Sequence, residues 1–197
     1  MTIFYRLENK LYVNITNTCP CACVFCIRNF ADTVGDAPSL WLKREPTPEE
    51  VKEAFLARND LYEVDEIVFC GYGEPMTRPN DVIEIAKYIK KATNLPLRLN
   101  TNGLVKLISP DFDMSLLKVM DSISVSMNAN DPEEYLRIVQ PLFGKQSYRA
   151  MLEFAQVAVQ YSDVILTVLD DLGKERIEHC RQIASEIGAS FRVRDFM

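Results

Sequence analysis

Four of the six cysteines in this 197-residue chain lie within eight consecutive positions, as Cys19, Cys21, Cys23 and Cys26. Cysteine thiolates that cluster in this way bind soft metals, such as zinc and the iron of iron–sulfur clusters. Structural zinc sites usually take their ligands from two separated pairs, so one dense loop favours an iron–sulfur cluster. A four-cysteine zinc or iron site and a redox-active group of thiols are the alternatives.

Three of these cysteines, Cys19, Cys23 and Cys26, are separated by gaps of three and then two residues. A cubane [4Fe–4S] cluster normally has four thiolate ligands, so a loop with three leaves one iron with an open coordination position. An open position is typical of a catalytic metal site rather than a structural one. Cys21 is then either a free thiol beside the cluster, which we favour, or a fourth ligand that would remove the open position.

The cysteine loop directly follows a β-type run, and such runs alternate with helical segments along the rest of the chain. After an opening run at 2–6, the β-type runs lie at 11–16, 66–70, 96–100, 122–126, 163–168 and 189–194. Capping signals and apolar periodicity predict helices that begin near Thr47 and at 79–92, 113–119, 132–139, 148–160 and 174–187.

This alternation predicts an α/β fold with a parallel sheet and right-handed crossovers. The six β-type runs that follow the opening one are too few for a closed TIM barrel, which has eight strands. The sheet is therefore expected to be open, either as a partial TIM-type barrel of about six β/α units or as a doubly wound sheet. Residues 1–197 are expected to form a single domain, because a domain commonly has about 100–200 residues.

Glycine-rich and polar segments follow three of the predicted strands, at the strand ends where ligands bind in both architectures. Residues 71–75 read Gly-Tyr-Gly-Glu-Pro, residues 100–103 read Asn-Thr-Asn-Gly, and Ser126 and Asn128 lie at the end of the 122–126 run. Each has a plain structural alternative, namely a tight turn, an Asn-Gly turn and a half-buried row of serines.

The spacing Cys19-x3-Cys23-x2-Cys26, with the aromatic Phe25 before the last cysteine, resembles the radical S-adenosylmethionine (SAM) superfamily. In that family the open iron of a [4Fe–4S] cluster binds the amino and carboxylate groups of SAM. One electron then cleaves the sulfonium, and a 5′-deoxyadenosyl radical abstracts a hydrogen atom from the substrate. The resemblance implies that these three cysteines are the metal ligands and that a low-potential donor, flavodoxin- or ferredoxin-like, supplies the electron.

The segments at the strand ends extend the resemblance. Residues 71–75 are similar to the family's Gly-Gly-Glu-Pro element, although Tyr72 separates the glycine pair, and residues 101–103 resemble its Thr-Asn-Gly turn. SAM contacts are implied for a set of residues from the cysteine loop and three strand ends: Phe25, Gly71, Gly73, Glu74, Asn100, Asn102, Ser126 and Asn128. More narrowly, residues 14–20 and 25–28 look like the radical SAM proteins associated with TatD-family nucleases.

Two other kinds of protein remain as alternatives. A non-enzymatic iron–sulfur electron carrier or a zinc-stabilised binding domain would need a fourth ligand from Cys21, Cys70 or Cys180. A radical SAM enzyme similar to the carboxy-deazaguanine synthases would have a longer gap between its first two cysteines. The sequence names no substrate, although the open side of an incomplete barrel would admit a large one, even a segment of protein or RNA.

Charge and hydropathy limit the partners. The formal net charge is −6, so general binding to the nucleic-acid backbone is disfavoured. The sequence has no signal peptide pattern and no apolar run long enough for a transmembrane helix, which predicts a cytoplasmic protein without a membrane partner. In that compartment the six cysteines are expected to be reduced.

The last β-type run contains Arg192 and Arg194, which share one face because they are two residues apart. They are expected to point towards a carboxylate or phosphate, with an exposed row on an edge strand as the alternative. By contrast, Cys70 is interpreted as a small core residue. Glu66 and its acidic neighbours are interpreted as a solvated edge.

Overall fold

The computed structural model describes residues 1–31 and 33–195, and its centre is a seven-stranded sheet. The strands in chain order are β1 (Phe4–Leu7), β2 (Lys10–Val13), β3 (Glu66–Phe69), β4 (Leu97–Thr101), β5 (Ser122–Ser126), β6 (Asp163–Leu169) and β7 (Ser190–Arg194). β1 runs antiparallel to β2, and the neighbours from β2 to β7 pair in parallel. The predicted set of six parallel strands is therefore confirmed.

The order of the strands decides between the two predicted architectures. In the sheet the strands follow one another in chain order, from β1 at one edge to β7 at the other. A doubly wound sheet reverses its strand order at a switch point, whereas a TIM-type barrel adds each new strand on the same side. The fold is therefore an open, partial TIM-type barrel, and the doubly wound alternative is wrong.

Helices fill the connections between the strands. They are α1 (Pro48–Leu56), α2 (Pro79–Ala92), α3 (Val105–Ile108), α4 (Pro132–Val139), α5 (Gln146–Ala158) and α6 (Lys174–Ile187). The segment predicted as a helix at 113–119 is a 3₁₀ helix, Met114–Val119, and the short α3 was not predicted. Across the described ranges, no helix is both long and apolar enough to cross a bilayer.

The starts of α1 and α4 follow directly from their sequence signals. Thr47 Oγ1 accepts a hydrogen bond from Glu50 N, and the Glu50 carboxylate accepts one from Thr47 N, which completes the predicted capping box. Asp131 Oδ1 accepts from the N–H groups of Glu133 and Glu134 at the start of α4. These caps satisfy N–H groups that have no partner inside a helix.

The two faces of the sheet differ in chemistry, because side chains alternate along a strand. Fully buried apolar residues on the outer face pack against the helices: Leu11, Ile67, Leu97, Leu99, Ile123 and Leu166. Several alternate residues, which face the inside of the barrel, are polar: Tyr12, Arg98, Asn100, Ser124 and Arg192. A closed TIM barrel fills its interior with branched apolar side chains. Here the polar inner face leaves room for a cavity.

Candidate functional site

A cavity of about 200 Å³ lies at the carboxyl ends of the strands. Most of the residues predicted to hold a metal or a cofactor line it: Cys19, Cys23, Phe25, Gly73, Glu74, Asn100, Asn102, Ser126 and Asn128. Of the described residues that were predicted, Cys26 and Gly71 do not line the cavity. Cys26 is half-buried and donates its N–H to Cys23 O at 3.1 Å. The fold thus brings together segments that are far apart in the chain.

The cysteine loop lies against the turn that follows β3. The backbone N–H of Gly73 donates to Thr16 O (3.1 Å), and that of Glu74 donates to Thr18 O (2.8 Å). A Cβ added to Gly73 would lie 2.4 Å from Thr16 O and 2.7 Å from Thr18 O, so this close contact requires glycine. The contact places Glu74 beside the cysteines.

Gly71, the first glycine of the same turn, packs against a different neighbour. A Cβ added there would lie 2.1 Å from Asn14 Oδ1, a side chain that is itself buried. The Asn14 amide in turn donates to Leu40 O at 2.7 Å. Gly71 therefore serves the close packing of β3 against the segment after β2.

The opposite flank of the cysteine loop is bonded to the end of α4. Ala22 N donates to Gln140 O at 3.2 Å, and Val24 N donates to Ile138 O at 2.9 Å. These two bonds lie on either side of Cys23. The backbone that carries the thiols is therefore positioned by the fold itself.

Cys21 lies inside the group formed by the other thiols. Its side chain is 4% exposed and accepts a 3.6 Å hydrogen bond from Asn102 Nδ2. A hydrogen bond from Cys21 lowers the pKa of Cys19 to about 6, and the hydrogen bonds to Cys19 and then Cys23 raise the pKa of Cys21. Among the described residues, no three His, Cys, Asp or Glu side chains are grouped so that they could hold a metal ion. Because Cys21 contacts both Cys19 and Cys23, substitution of Cys21 tests whether it is a free thiol or a fourth ligand.

Glu74 is a buried carboxylate that joins the ends of β3 and β4. Its Oε1 accepts from Thr101 Oγ1 (2.8 Å) and Met76 N (3.0 Å), and its Oε2 accepts from Asn102 N (2.7 Å). Burial raises the pKa of Glu74 to about 7, the charge of Cys19 adds to the rise, and these hydrogen bonds oppose it. A carboxylate has about four lone-pair sites, so one stays available to a cation in the cavity.

The two asparagines at the end of β4 have different roles. Asn102 Oδ1 accepts from Leu104 N at 3.0 Å, so this side chain closes the turn. Asn100 Oδ1 is buried and has no hydrogen-bond partner within residues 1–31 and 33–195. Buried acceptors without a donor are rare in native proteins. The Asn100 amide therefore offers an acceptor to a ligand.

Asn128, just after β5, combines an unpaired acceptor with an unusual backbone conformation. Its φ is 59°, in the left-handed region, and its side chain is 5% exposed. The side-chain Oδ1 is buried and unpaired within the described part of the chain. A non-glycine residue in this conformation is uncommon and is often found at functional sites. Asn128 is therefore a second acceptor for a ligand in the cavity.

Together these side chains fit the two groups that the sequence implies, a [4Fe–4S] cluster and SAM. The cysteine loop brings the thiols of Cys19 and Cys23 to the cavity, with Cys26 three residues further along the loop, and Glu74 supplies a carboxylate that can face the ammonium group of SAM. Asn100 and Asn128 supply carbonyl oxygens for hydroxyl or amino donors. Phe25 supplies an aromatic wall to the same cavity.

The sequence interpretation missed several polar residues of the inner face. Cys70, interpreted as a core residue, lines the cavity, as does Ser124. Glu66, interpreted as part of a solvated edge, forms an ion pair with Arg98 at 3.0 Å. Glu66, in β3, and Cys70, directly after it, lie on the same face, because side chains on a strand alternate with a period of two. This alternation in the sequence could have indicated that both residues face the inside of the barrel.

Replacing Asn128 by glycine is expected to weaken SAM binding about tenfold while changing the free energy of unfolding by less than about 1 kcal/mol. Glycine adopts the positive φ without strain, so the losses are the unpaired side-chain oxygen and a long, 3.5 Å hydrogen bond from Asn128 Nδ2 to Ser126 O. Equilibrium dialysis of the reconstituted protein measures the affinity, and denaturant unfolding measures the stability. Glu8→Gly, at another positive φ in the exposed β1–β2 turn, is the matched control. Unchanged SAM affinity in Asn128→Gly would remove this residue from the site.

Comparisons with known proteins agree with the geometry. A probable GTP 3′,8-cyclase from Methanocaldococcus jannaschii is 32% identical over 140 residues, which are 70% of this chain and 42% of that protein. The structure of TYW1 with a lysine-pyruvate adduct bound superposes with a TM-score of 0.68 at 15% identity, over 96% of this chain and 65% of that one. Native anSMEcpe with bound AdoMet superposes with a TM-score of 0.66 at 16% identity, over 94% and 51%.

This chain spans less than two thirds of the length of each of these relatives. The superpositions show the same open barrel at low sequence identity. The model of the radical SAM superfamily matches residues 13–185, which include the cysteine loop and the strands from β3 to β6. Because this match covers most of the chain, including the cysteine loop at the mouth of the partial TIM-type barrel, the chain belongs to the radical SAM superfamily, whose members use a [4Fe–4S] cluster and SAM.

Proposed function

We propose that this chain holds a [4Fe–4S] cluster through Cys19, Cys23 and Cys26 and cleaves SAM reductively. When bound, the cluster and SAM supply one-electron chemistry: an electron from an external donor breaks the C5′–S bond to give methionine and a 5′-deoxyadenosyl radical, which takes a hydrogen atom from the substrate. The observation that carries the proposal is the cavity, because it joins the cysteine loop to Glu74 and to the unpaired side-chain oxygens of Asn100 and Asn128.

The residues of the cavity have separate roles in the proposal. Glu74 binds the ammonium group of SAM, and its bonds to Thr101 and Asn102 keep the carboxylate in place. Phe25 packs against the adenosyl part. The hydroxyl groups of the SAM ribose and the amino group of its adenine donate hydrogen bonds to three residues: Asn100, Ser126 and Asn128. Gly73 allows the turn after β3 to approach the backbone at the start of the cysteine loop. Gly71 contributes through its packing against Asn14.

The partners are also proposals. A low-potential flavodoxin- or ferredoxin-like protein supplies the electron, because only a donor with a lower reduction potential than the [4Fe–4S] cluster can reduce it. The open side of the barrel gives access to a large substrate, such as a segment of a macromolecule. The net charge of −6 argues against general nucleic-acid binding. All six cysteines are free, which supports a cytoplasmic location. A single domain over 1–197 and membership of the TatD-associated group stay predictions.

Anaerobic reconstitution with iron and sulfide, followed by reduction with dithionite, tests the reaction. Formation of 5′-deoxyadenosine from SAM is expected, together with a change in the electron paramagnetic resonance spectrum of the reduced cluster when SAM is added. A spectrum that is indifferent to SAM, with no nucleoside product, would support the alternative of a simple electron carrier and overturn the proposal.

The variant Cys21→Ala is expected to keep about four iron atoms per chain and its SAM-dependent spectrum, because three thiolates suffice for the cluster. Its sulfur lies between the thiols of Cys19 and Cys23, so a modest loss of stability is expected from the cavity left behind. Iron analysis and spectroscopy after reconstitution measure both properties. Loss of the cluster in this variant, with Cys180→Ala unchanged, would instead assign Cys21 as a fourth ligand.

A further inference from the structure

Three arginines lie on the inner face of the barrel. Arg98 is 6% exposed and forms an ion pair with Glu66 at 3.0 Å. Arg192 reaches across β6 and donates to Ser124 Oγ at 3.4 Å, and it has no ion pair with a described residue. The Arg194 side chain, on the same strand, has neither an ion pair nor a hydrogen bond with residues 1–31 and 33–195. The inner face thus carries two guanidinium groups without a paired carboxylate, in a chain of net charge −6.

Arg192 and Arg194 line the same cavity as the cysteine loop, from the opposite edge of the sheet. Both side chains keep exposed surface, so a ligand can reach them. Partial burial lowers the pKa of both groups; the charge of Arg98 also lowers that of Arg192, and the charge of Arg192 also lowers that of Arg194. Like charges held this close repel each other, and an anion placed between them removes the repulsion.

Glu74, the acidic side chain among the described residues that line the cavity, does not supply that anion. Glu74 binds Thr101, Met76 and Asn102 with its two oxygens, so it is held at the ends of β3 and β4. The Ser124 side chain is 5% exposed and stands at the point where Arg192 reaches the cavity wall. A hydroxyl donor beside guanidinium groups is a common way of binding the oxygens of a phosphate or carboxylate.

We propose that Arg192, Arg194 and Ser124 form a subsite for an oxyanion of the substrate, preferentially a phosphate group. Two guanidinium groups without a carboxylate match a doubly charged anion, and their planar donors match its oxygens in pairs. The inference rests on the proposed function, since the subsite would hold the substrate in the cavity where SAM is cleaved. The second possible source of an oxyanion is the carboxylate of SAM itself, and the test separates the two.

Inorganic phosphate is the probe, titrated by calorimetry into the anaerobically reconstituted protein with saturating SAM. Arg192→Gln and Arg194→Gln are each expected to weaken phosphate binding about tenfold. Arg149→Gln, which removes an exposed arginine on α5 paired with Glu153, is the matched control and is expected to bind as the unchanged protein does. Arg192→Lys keeps the charge without the planar donor pair, and intermediate affinity is expected if the fold is retained.

The SAM dissociation constant of the same variants decides the source of the oxyanion. A rise equal to that for phosphate would assign the arginines to the SAM carboxylate and overturn the proposal, whereas a rise of less than about threefold supports it. The proposal would also be overturned if the unchanged protein did not bind phosphate, if it bound phosphate more weakly than acetate, or if the Gln variants bound phosphate as tightly as the unchanged protein. Formation of 5′-deoxyadenosine without substrate reports the proposed function separately, so its failure is distinguishable from failure of the subsite.

Discussion

Cys23→Ala is expected to lower the iron content after reconstitution from about four atoms per chain to less than about one tenth of that value. Cys23 lies between two backbone bonds to the end of α4, which hold the loop in place with or without the thiol. The substitution therefore removes a ligand without unfolding the loop. Only two of the three proposed ligands then remain, Cys19 and Cys26, and they are not expected to retain the cluster, so formation of 5′-deoxyadenosine should fall below detection. Iron analysis, absorbance near the cluster bands and product chromatography measure these effects.

Cys180→Ala is the control for this substitution. Cys180 is fully buried in α6 and does not line the cavity in the described structure, so its replacement has a packing cost without a missing ligand. We expect it to keep the full iron content and product formation. A Cys23→Ala protein that still binds a full cluster and forms 5′-deoxyadenosine would contradict the assignment of the three ligands.

Glu74→Gln is expected to lower the free energy of unfolding by about 1–3 kcal/mol, because it leaves a buried N–H group without an acceptor. The two carboxylate oxygens accept from Thr101, Met76 and Asn102, and an amide has only one oxygen to offer. Its NH₂ group must then face the N–H of Asn102 or that of Met76. SAM affinity is expected to fall about tenfold or more, since the proposed partner of its ammonium group loses its charge.

Denaturant unfolding under anaerobic conditions measures the first effect of Glu74→Gln, and equilibrium dialysis with labelled SAM measures the second. Glu49→Gln, at a carboxylate that is 69% exposed on α1, is the matched control and should change neither quantity measurably. Loss of stability with unchanged SAM affinity would show that Glu74 only joins β3 and β4 and does not bind the cofactor.

Features encoded over a few neighbouring residues were predictable from the chain alone. The three cysteines predicted as metal ligands lie in one loop, so their spacing is readable without a fold. The capping box at Thr47 and Glu50 is equally local, and the structure shows both of its hydrogen bonds. The strand runs were visible because period-two alternation depends only on the backbone.

Pairings between distant segments were not predictable in the same way. Glu66 and Arg98 lie on neighbouring strands, and the sequence shows Glu66 only among acidic neighbours that suggest a solvated edge. Whether such a charge faces solvent or the inside of a barrel depends on which strands pair and in which register. The same holds for the contact of Arg192 with Ser124, which crosses an intervening strand.

The sequence by itself therefore determined the cysteine-rich loop, the succession of strands and helices, and the strand ends at which polar residues gather, because each is a local property of the chain. Only the tertiary structure decided that the sheet is an open barrel rather than doubly wound, since that choice depends on the order of the strands. It also decided that Glu74 is held by Thr101 and Asn102 and that the side-chain oxygens of Asn100 and Asn128 have no hydrogen-bond partner among the described residues. These properties arise from contacts over long sequence separations, for which no short pattern exists.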